Sequence, residues 1–324
     1  MDVRDRIDPD YRTLVETMAA APSDWSDPVA ERARRAALAP PPEVPDGVDW
    51  ADHEAPGPEG DPAVTIRLYR PAGTAGAGGA GGALPLVYWI HGGGYLGGSY
   101  EGSNDTNGEW ARDLGCAVAS VEYRLAPEHP YPAPLEDCYA GLKWLVENAS
   151  ELGLDSSRVI IAGGSAGAGL CAGLALLVRD RAELSVTHQV LIYPMLDDRR
   201  TTGSSQWSTW VWTKESNDIG WRAYLGELFG GDEVPAYAAA SRATDLGGLP
   251  SAYVMMGSLD LFFDEDMDYA SRLIAAGVPT ELHVYPGGPH AFDVPRLGGT
   301  FELGRRAHSD TKEYLRRALA ESVG

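Results

Sequence analysis

Arg158-Val159-Ile160-Ile161-Ala162-Gly163-Gly164-Ser165-Ala166-Gly167-Ala168-Gly169-Leu170 carries an apolar, strand-like run straight into a Gly-x-Ser-x-Gly turn and out into a small-residue helix. A near-continuous apolar run fits a strand covered on both faces, so the turn belongs to a mostly parallel sheet. In that context the serine sits on a strained strand-to-helix turn with its hydroxyl exposed at the helix N-terminus. The flanking glycines are required because a Cβ beside the turn would meet neighbouring backbone. A bare pentapeptide of this kind is compatible with an ordinary glycine-rich turn. The strand before it and the helix after it are what single out Ser165 as a nucleophile.

Working outward, strand-like runs at Leu86–Ile90, Cys116–Tyr123, Gln189–Tyr193, Ala252–Met256 and Glu281–Tyr285 alternate with helical patterns, the rhythm of an α/β fold. Val64, Ile66 and Leu68 alternate with Thr65, Arg67 and Tyr69, a half-buried strand that is expected to start the sheet. Gly73 to Gly82 reads as a hairpin loop; its formal G-x-G-x-x-G match at Gly76, Gly78 and Gly81 precedes a strand instead of opening a helix and fails as a nucleotide motif. Helical spacing marks Tyr11 to Met18, Val29 to Leu38, Leu135 to Val146 and Leu170 to Val178.

His91-Gly92-Gly93-Gly94-Tyr95 follows the strand Leu86–Ile90 directly. Consecutive glycines there let backbone N–H groups of Gly92 and Gly93 turn toward a developing oxyanion, and the N–H of Ala166 completes the hole. His91 itself reads as a brace for that loop. An activated serine needs a base and an orienting acid, which in this fold arrive in the order Ser, Asp/Glu, His. Of seven histidines, His290 alone lies in a loop just past the last strand, within Gly287-Gly288-Pro289-His290-Ala291-Phe292. His53 and His308 lie away from the strand ends, His129 in a proline-rich loop, His188 before a strand and His283 inside one. Asp260, after Ala252–Met256, is the favoured acid, and Asp197, one strand earlier, is its rival. Asp264, Glu265, Asp266 and Asp268 read as the solvated first turn of the next helix.

Composition narrows the class. A net charge of -21, from 26 basic and 47 acidic side chains, repels nucleic-acid backbones and anionic lipid surfaces, so neither partner is expected. The opening MDVRDRIDPD has no cationic or apolar leader character and no stretch approaches a membrane span, which gives a cytoplasmic expectation. Cys116, Cys138 and Cys171, odd in number and in apolar settings, read as small buried hydrophobes and not as disulfides or metal ligands.

With these pieces assembled, the chain resembles the bacterial hormone-sensitive-lipase family of carboxylesterases, of the α/β-hydrolase fold. The resemblance is carried by His91-Gly92-Gly93-Gly94, by Tyr123-Arg124-Leu125-Ala126-Pro127-Glu128, by the serine turn and by the surroundings of Asp260 and His290. It implies a helical cap made of residues 1–45 and of an insertion at 196–249, over a catalytic domain of residues 46–195 and 250–324. It further implies short-acyl ester substrates, no metal or organic cofactor, and members that often form homodimers through the sheet edge. The family's usual turn is Gly-Asp-Ser-Ala-Gly; here Gly164 stands where the aspartate would be.

Residues 196–249 are too long for a simple connection and carry Trp207, Trp210, Trp212 and Trp221. Trp207, Trp210 and Trp212 are expected to wall an acyl pocket; the plainer alternative is that they anchor the cap to the sheet. Two other functional classes stay open. An amidase, arylformamidase or carbamate hydrolase would use the same three residues. A ligand receptor on this scaffold would have lost the histidine, which His290 speaks against.

Overall fold

The computed structural model describes residues 4–20, 23–74, 82–207 and 209–321. Its strands are β1 (Val48–Ala55), β2 (Val64–Pro71), β3 (Leu84–Ile90), β4 (Ala117–Val121), β5 (Leu154–Gly164), β6 (His188–Ile192), β7 (Ser251–Gly257) and β8 (Thr280–Tyr285). Among the described residues these form one sheet in the order β1-β2-β4-β3-β5-β6-β7-β8. The pairs from β4 through β3 to β8 are parallel, and β1 and β2 run antiparallel at one edge. The α/β-hydrolase architecture expected from the sequence is the one observed.

Helices α1 (Arg12–Ala20) and α2 (Pro28–Leu38) precede the sheet, and α3 (Asn104–Leu114), α4 (Ala133–Glu147), α5 (Ala149–Leu152) and α6 (Ala166–Arg181) lie between its strands. Further along come α7 (Lys214–Leu225), α8 (Phe263–Ala275) and α9 (Glu302–Ala320). Helix α4 packs beside α6 and α3 beside α9, and the parallel strands are covered on both faces, Val159, Ile161, Leu191 and Val254 being fully buried. That is why those strands read as continuous apolar runs. Helix α6 is apolar all round, with every residue from Ala166 to Val178 buried, because the sheet, α4 and the 196–249 segment surround it. Gly173 there approaches the Tyr237 carbonyl so closely that a Cβ would stand 2.3 Å from it.

Three expectations are corrected. The sheet starts at β1, not at Val64. β1 (Val-Asp-Trp-Ala-Asp-His-Glu-Ala) is an exposed edge strand with charges on both faces, so it lacks the apolar alternation that marks a strand. β2 and β3 are not hairpin partners, because β4 lies between them; residues 75–81, with Gly76, Gly78 and Gly81, are outside the described residues. The first turn of α8 is not solvated throughout: Glu265 and Asp266 are buried beneath the segment after β6. Glu265 Oε1 accepts the amides of Leu196 and Asp197 at 2.8 and 3.2 Å. Both oxygens of Asp266 lack a hydrogen-bond partner among the described residues. Burial, with Glu265 and Asp260 nearby, pushes its carboxyl well above the usual range. The three cysteines are buried and free, as read.

Candidate active site

The carboxyl ends of β3, β5, β6 and β7 and the loop after β8 converge on Ser165. Its backbone, at φ 57° and ψ -121°, lies outside the regions favoured by L-residues, the strain of a sharp strand-to-helix turn. The turn is held from three sides. Ser165 N–H donates to Ile192 O at 2.9 Å, and Ser165 O accepts from Gly169 N–H at 3.0 Å and Met195 N–H at 3.1 Å. Close approach explains its glycines: a Cβ on Gly163 would come within 2.5 Å of the Gly167 backbone, and one on Gly167 within 2.2 Å of Ile90 O.

Ser165 Oγ stands 2.9 Å from His290 Nε2, and His290 Nδ1 stands 2.7 Å from Asp260 Oδ2. A carboxylate only accepts, so the ring proton sits on Nδ1 and the lone pair of Nε2 faces the serine hydroxyl. Asp260 is fully buried and His290 nearly so. Tyr193 and Phe262 meet the imidazole edge-on, at 4.8 and 5.2 Å between ring centres, and limit its swing. Asp197 is elsewhere engaged: Arg199 donates to both of its oxygens, Nε to Oδ1 and an NH2 nitrogen to Oδ2, each at 2.8 Å. The structure thus brings Ser165, His290 and Asp260 together and leaves Asp197 outside.

Gly92 lies against the serine, so that a Cβ there would stand 2.7 Å from Gly164 O and 3.3 Å from Ser165 Cβ. The following loop doubles back, with Leu96 and Gly97 N–H donating to Gly93 O at 3.1 Å. Ala166 opens α6, where first-turn amides have no partner within the helix. His91 braces the loop as expected. Its Nδ1–H donates to Gly92 O at 2.9 Å, and its ring stacks on Tyr123 at 4.2 Å between centres. Burial pushes its imidazole down to about 4, so it is neutral. At 3.9 Å from Glu122 it therefore forms no ion pair. Tyr123 O–H returns a bond to His91 O at 2.8 Å, and Arg124 bridges Asp137 and Asp61, which makes the Tyr123 run the rear support of the site.

Above the serine is a cavity of about 530 Å³. Of the three tryptophans expected to wall it, Trp212 does, with its indole laid over Gly94 and its Nε1 donating to Asn217 Oδ1 at 3.1 Å. Trp207 instead stacks on Phe263, and Trp210 is buried in the packing; neither borders the cavity. Sequence reasoning missed the walls contributed by Trp25, Trp89, Trp110, Tyr193 and Asp293. Tyr193 was legible as the residue leaving β6 at the sheet's carboxyl edge, but Trp89 looks like any core residue of an apolar strand. Among the described residues, no group of three or more His, Cys, Asp or Glu side chains is placed to hold a metal ion, and no helix is long and apolar enough to cross a membrane.

Residues 87–294 match the family model described as the α/β hydrolase fold. The chain is 34% identical to the esterase LipI of Mycobacterium tuberculosis over 61% of its own length, and that alignment spans 62% of the relative. It is 33% identical to the carboxylesterase NlhH of the same organism, with 89% of each chain covered. Among solved structures, a bacterial heroin esterase superposes with a TM-score of 0.90 at 40% identity, covering 98% of this chain and 100% of the other. The serine turn, the glycine loop and the overall match agree, and the chain belongs to the α/β-hydrolase fold family, within the hormone-sensitive-lipase-like group of bacterial carboxylesterases.

Proposed function

We propose that this carboxylesterase acts through Ser165 as nucleophile, His290 as general base and then general acid, and Asp260 as the residue that sets the imidazole tautomer. The observation that supports it is the hydrogen-bonded line from Ser165 Oγ to His290 to Asp260 at the floor of the cavity. The serine attacks the ester carbonyl as Nε2 takes its proton, and the amides of Gly92, Gly93 and Ala166 receive the oxyanion. The imidazolium protonates the departing alcohol and leaves an acyl-serine. Water, deprotonated by the same imidazole, then releases the acid. Every proton moves through His290, so the cycle calls for no cofactor.

The partner in this reading is a small-molecule ester with a short acyl chain, held in the cavity of about 530 Å³ that the Trp212 indole helps to wall. The protein works in the cytoplasm, free of nucleic acid and membrane, with residues 1–45 and 196–249 as its cap and with β8 as the edge through which two copies would pair. The test is Ser165→Ala against wild type on p-nitrophenyl butyrate and a matching anilide, together with mass spectrometry after a phosphonate probe. Loss of ester turnover to below about one per cent, and of the covalent adduct on Ser165, is expected. Retained turnover, or an adduct elsewhere, overturns the assignment; faster anilide than ester cleavage would make the protein an amidase.

A further inference from the structure

The glycines around the serine are not equivalent. Gly163 and Gly167 are forced by backbone contacts of 2.5 and 2.2 Å. Gly164 is not: its φ lies in the ordinary range, and beyond its chain neighbours a Cβ there would find its nearest atoms at Trp89 Cη2, 3.7 Å, Trp89 Cζ2, 3.9 Å, and Tyr193 Cε2, 4.0 Å. Those are comfortable carbon–carbon separations. Nothing in the fold requires glycine at this position, yet it borders the cavity immediately beside the nucleophile.

What glycine leaves there is space between aromatic walls. Trp89 and Tyr193 both come within 4.0 Å of where that side chain would begin, and Trp110 meets Trp89 edge-on, with ring centres 5.4 Å apart and planes at 85°. All three rings border the same cavity as Ser165 and His290. A flat ring resting against the Gly164 backbone, where a side chain would otherwise stand, would lie beside Trp89 and Tyr193. Ring-to-ring contact is favourable beyond the area it buries.

We propose that Gly164 is a specificity-determining residue that keeps open an aromatic-walled slot between Trp89 and Tyr193, and that this slot takes the aryl group of an aromatic ester. The inference rests on ester hydrolysis at Ser165 and narrows its substrate class. A side chain at position 164 would take up that space from the Gly164 side, against Trp89 and Tyr193.

The experiment compares wild type, Gly164→Ala and Gly164→Leu on three esters: 2-naphthyl acetate, ethyl 2-naphthylacetate and ethyl acetate. The first two place the ring on the alcohol or the acyl side. Each is read as kcat/KM relative to ethyl acetate in the same variant. For at least one of the two, Gly164→Leu should lower that ratio tenfold or more, chiefly through KM, with Gly164→Ala in between. A ratio lowered less than tenfold for both esters, or a loss shared equally by all three, overturns the slot. Should Gly164→Leu fail to fold, inhibition of Gly164→Ala by 2-naphthylboronic against methylboronic acid decides: a shift in selectivity of at least threefold supports the slot and a smaller one overturns it. If wild type cleaves none of the esters, the ester-hydrolase reading has failed; if it cleaves ethyl acetate and the ratios do not move, only the slot has.

Discussion

Asp260 turns its two oxygens to different tasks: Oδ2 accepts from His290 Nδ1 at 2.7 Å and Oδ1 from the Phe262 amide at 3.0 Å. The amide fixes the carboxylate, and the carboxylate fixes the ring. Asp260→Asn should therefore cost on the order of 10⁴ in kcat, because an amide nitrogen facing Nδ1 favours the wrong tautomer. Asp197→Asn should change kcat less than threefold, since Asp197 binds Arg199 and not the imidazole. Steady-state kinetics on one short ester checks both, and a larger loss for Asp197→Asn would move the acid to the earlier strand.

Trp212→Ala should shift the preferred acyl chain toward longer esters, since removing the indole over Gly94 enlarges the cavity. Each methylene that gains room contributes up to about 0.8 kcal/mol. Trp207→Ala should leave the optimum in place, because that ring stacks on Phe263 away from the cavity. A panel from acetate to decanoate reads the difference, and equal optima in all three proteins would refute the wall.

His91 makes stability fall on the acid side. Its folded-state pKa of about 4 lies below the ordinary 6.5, so the unfolded chain binds the proton more readily between those values. Stability from this group is complete above pH 6.5 and declines toward pH 4, by roughly 3 kcal/mol. Urea midpoints of wild type and His91→Gln across pH 4 to 7 should converge as the pH drops. Parallel curves would show that His91 is not the group responsible.

Arg124→Leu should destabilise the fold by about 3–5 kcal/mol, the cost of leaving a buried carboxylate without its partner. Asp137 is almost fully buried and takes two side-chain bonds from Arg124, at 2.8 and 2.7 Å. Replacing both, as Arg124→Leu with Asp137→Leu, should recover part of the loss. Chemical denaturation of the three proteins measures it, and a single-variant loss below about 1 kcal/mol would contradict the pairing.

Much of this was legible because strand ends in a parallel sheet are marked twice, by an apolar run and by the turn that follows. Ser165, Asp260 and His290 each lie just past such a run, so order along the chain sufficed to assemble them. Between Asp260 and Asp197 the sequence favoured one without deciding; the structure puts Asp260 against His290 and Asp197 against Arg199. β1 was hidden because an edge strand exposed on both faces has no buried side to impose a period. The cavity walls were hidden for the opposite reason. Trp89, Trp110 and Trp210 are all buried, and whether a buried indole borders empty space or other side chains depends on tertiary placement that no local pattern records.

Tyr11, just ahead of α1, donates to Phe292 O at 2.8 Å and Gly298 O at 3.1 Å, while Asp8 N–H donates to Gly287 O at 3.0 Å. These bonds clasp both sides of the loop that carries His290, across 281 residues of sequence in the first case. During synthesis at about 5–20 residues per second, Tyr11 leaves the ribosome roughly 15 to 60 s before its acceptors exist. For that interval the first helices have no loop to close upon. The line from Ser165 through His290 to Asp260 is thus among the last features of the molecule to be completed, and a nascent chain halted before residue 287 holds the serine turn without His290.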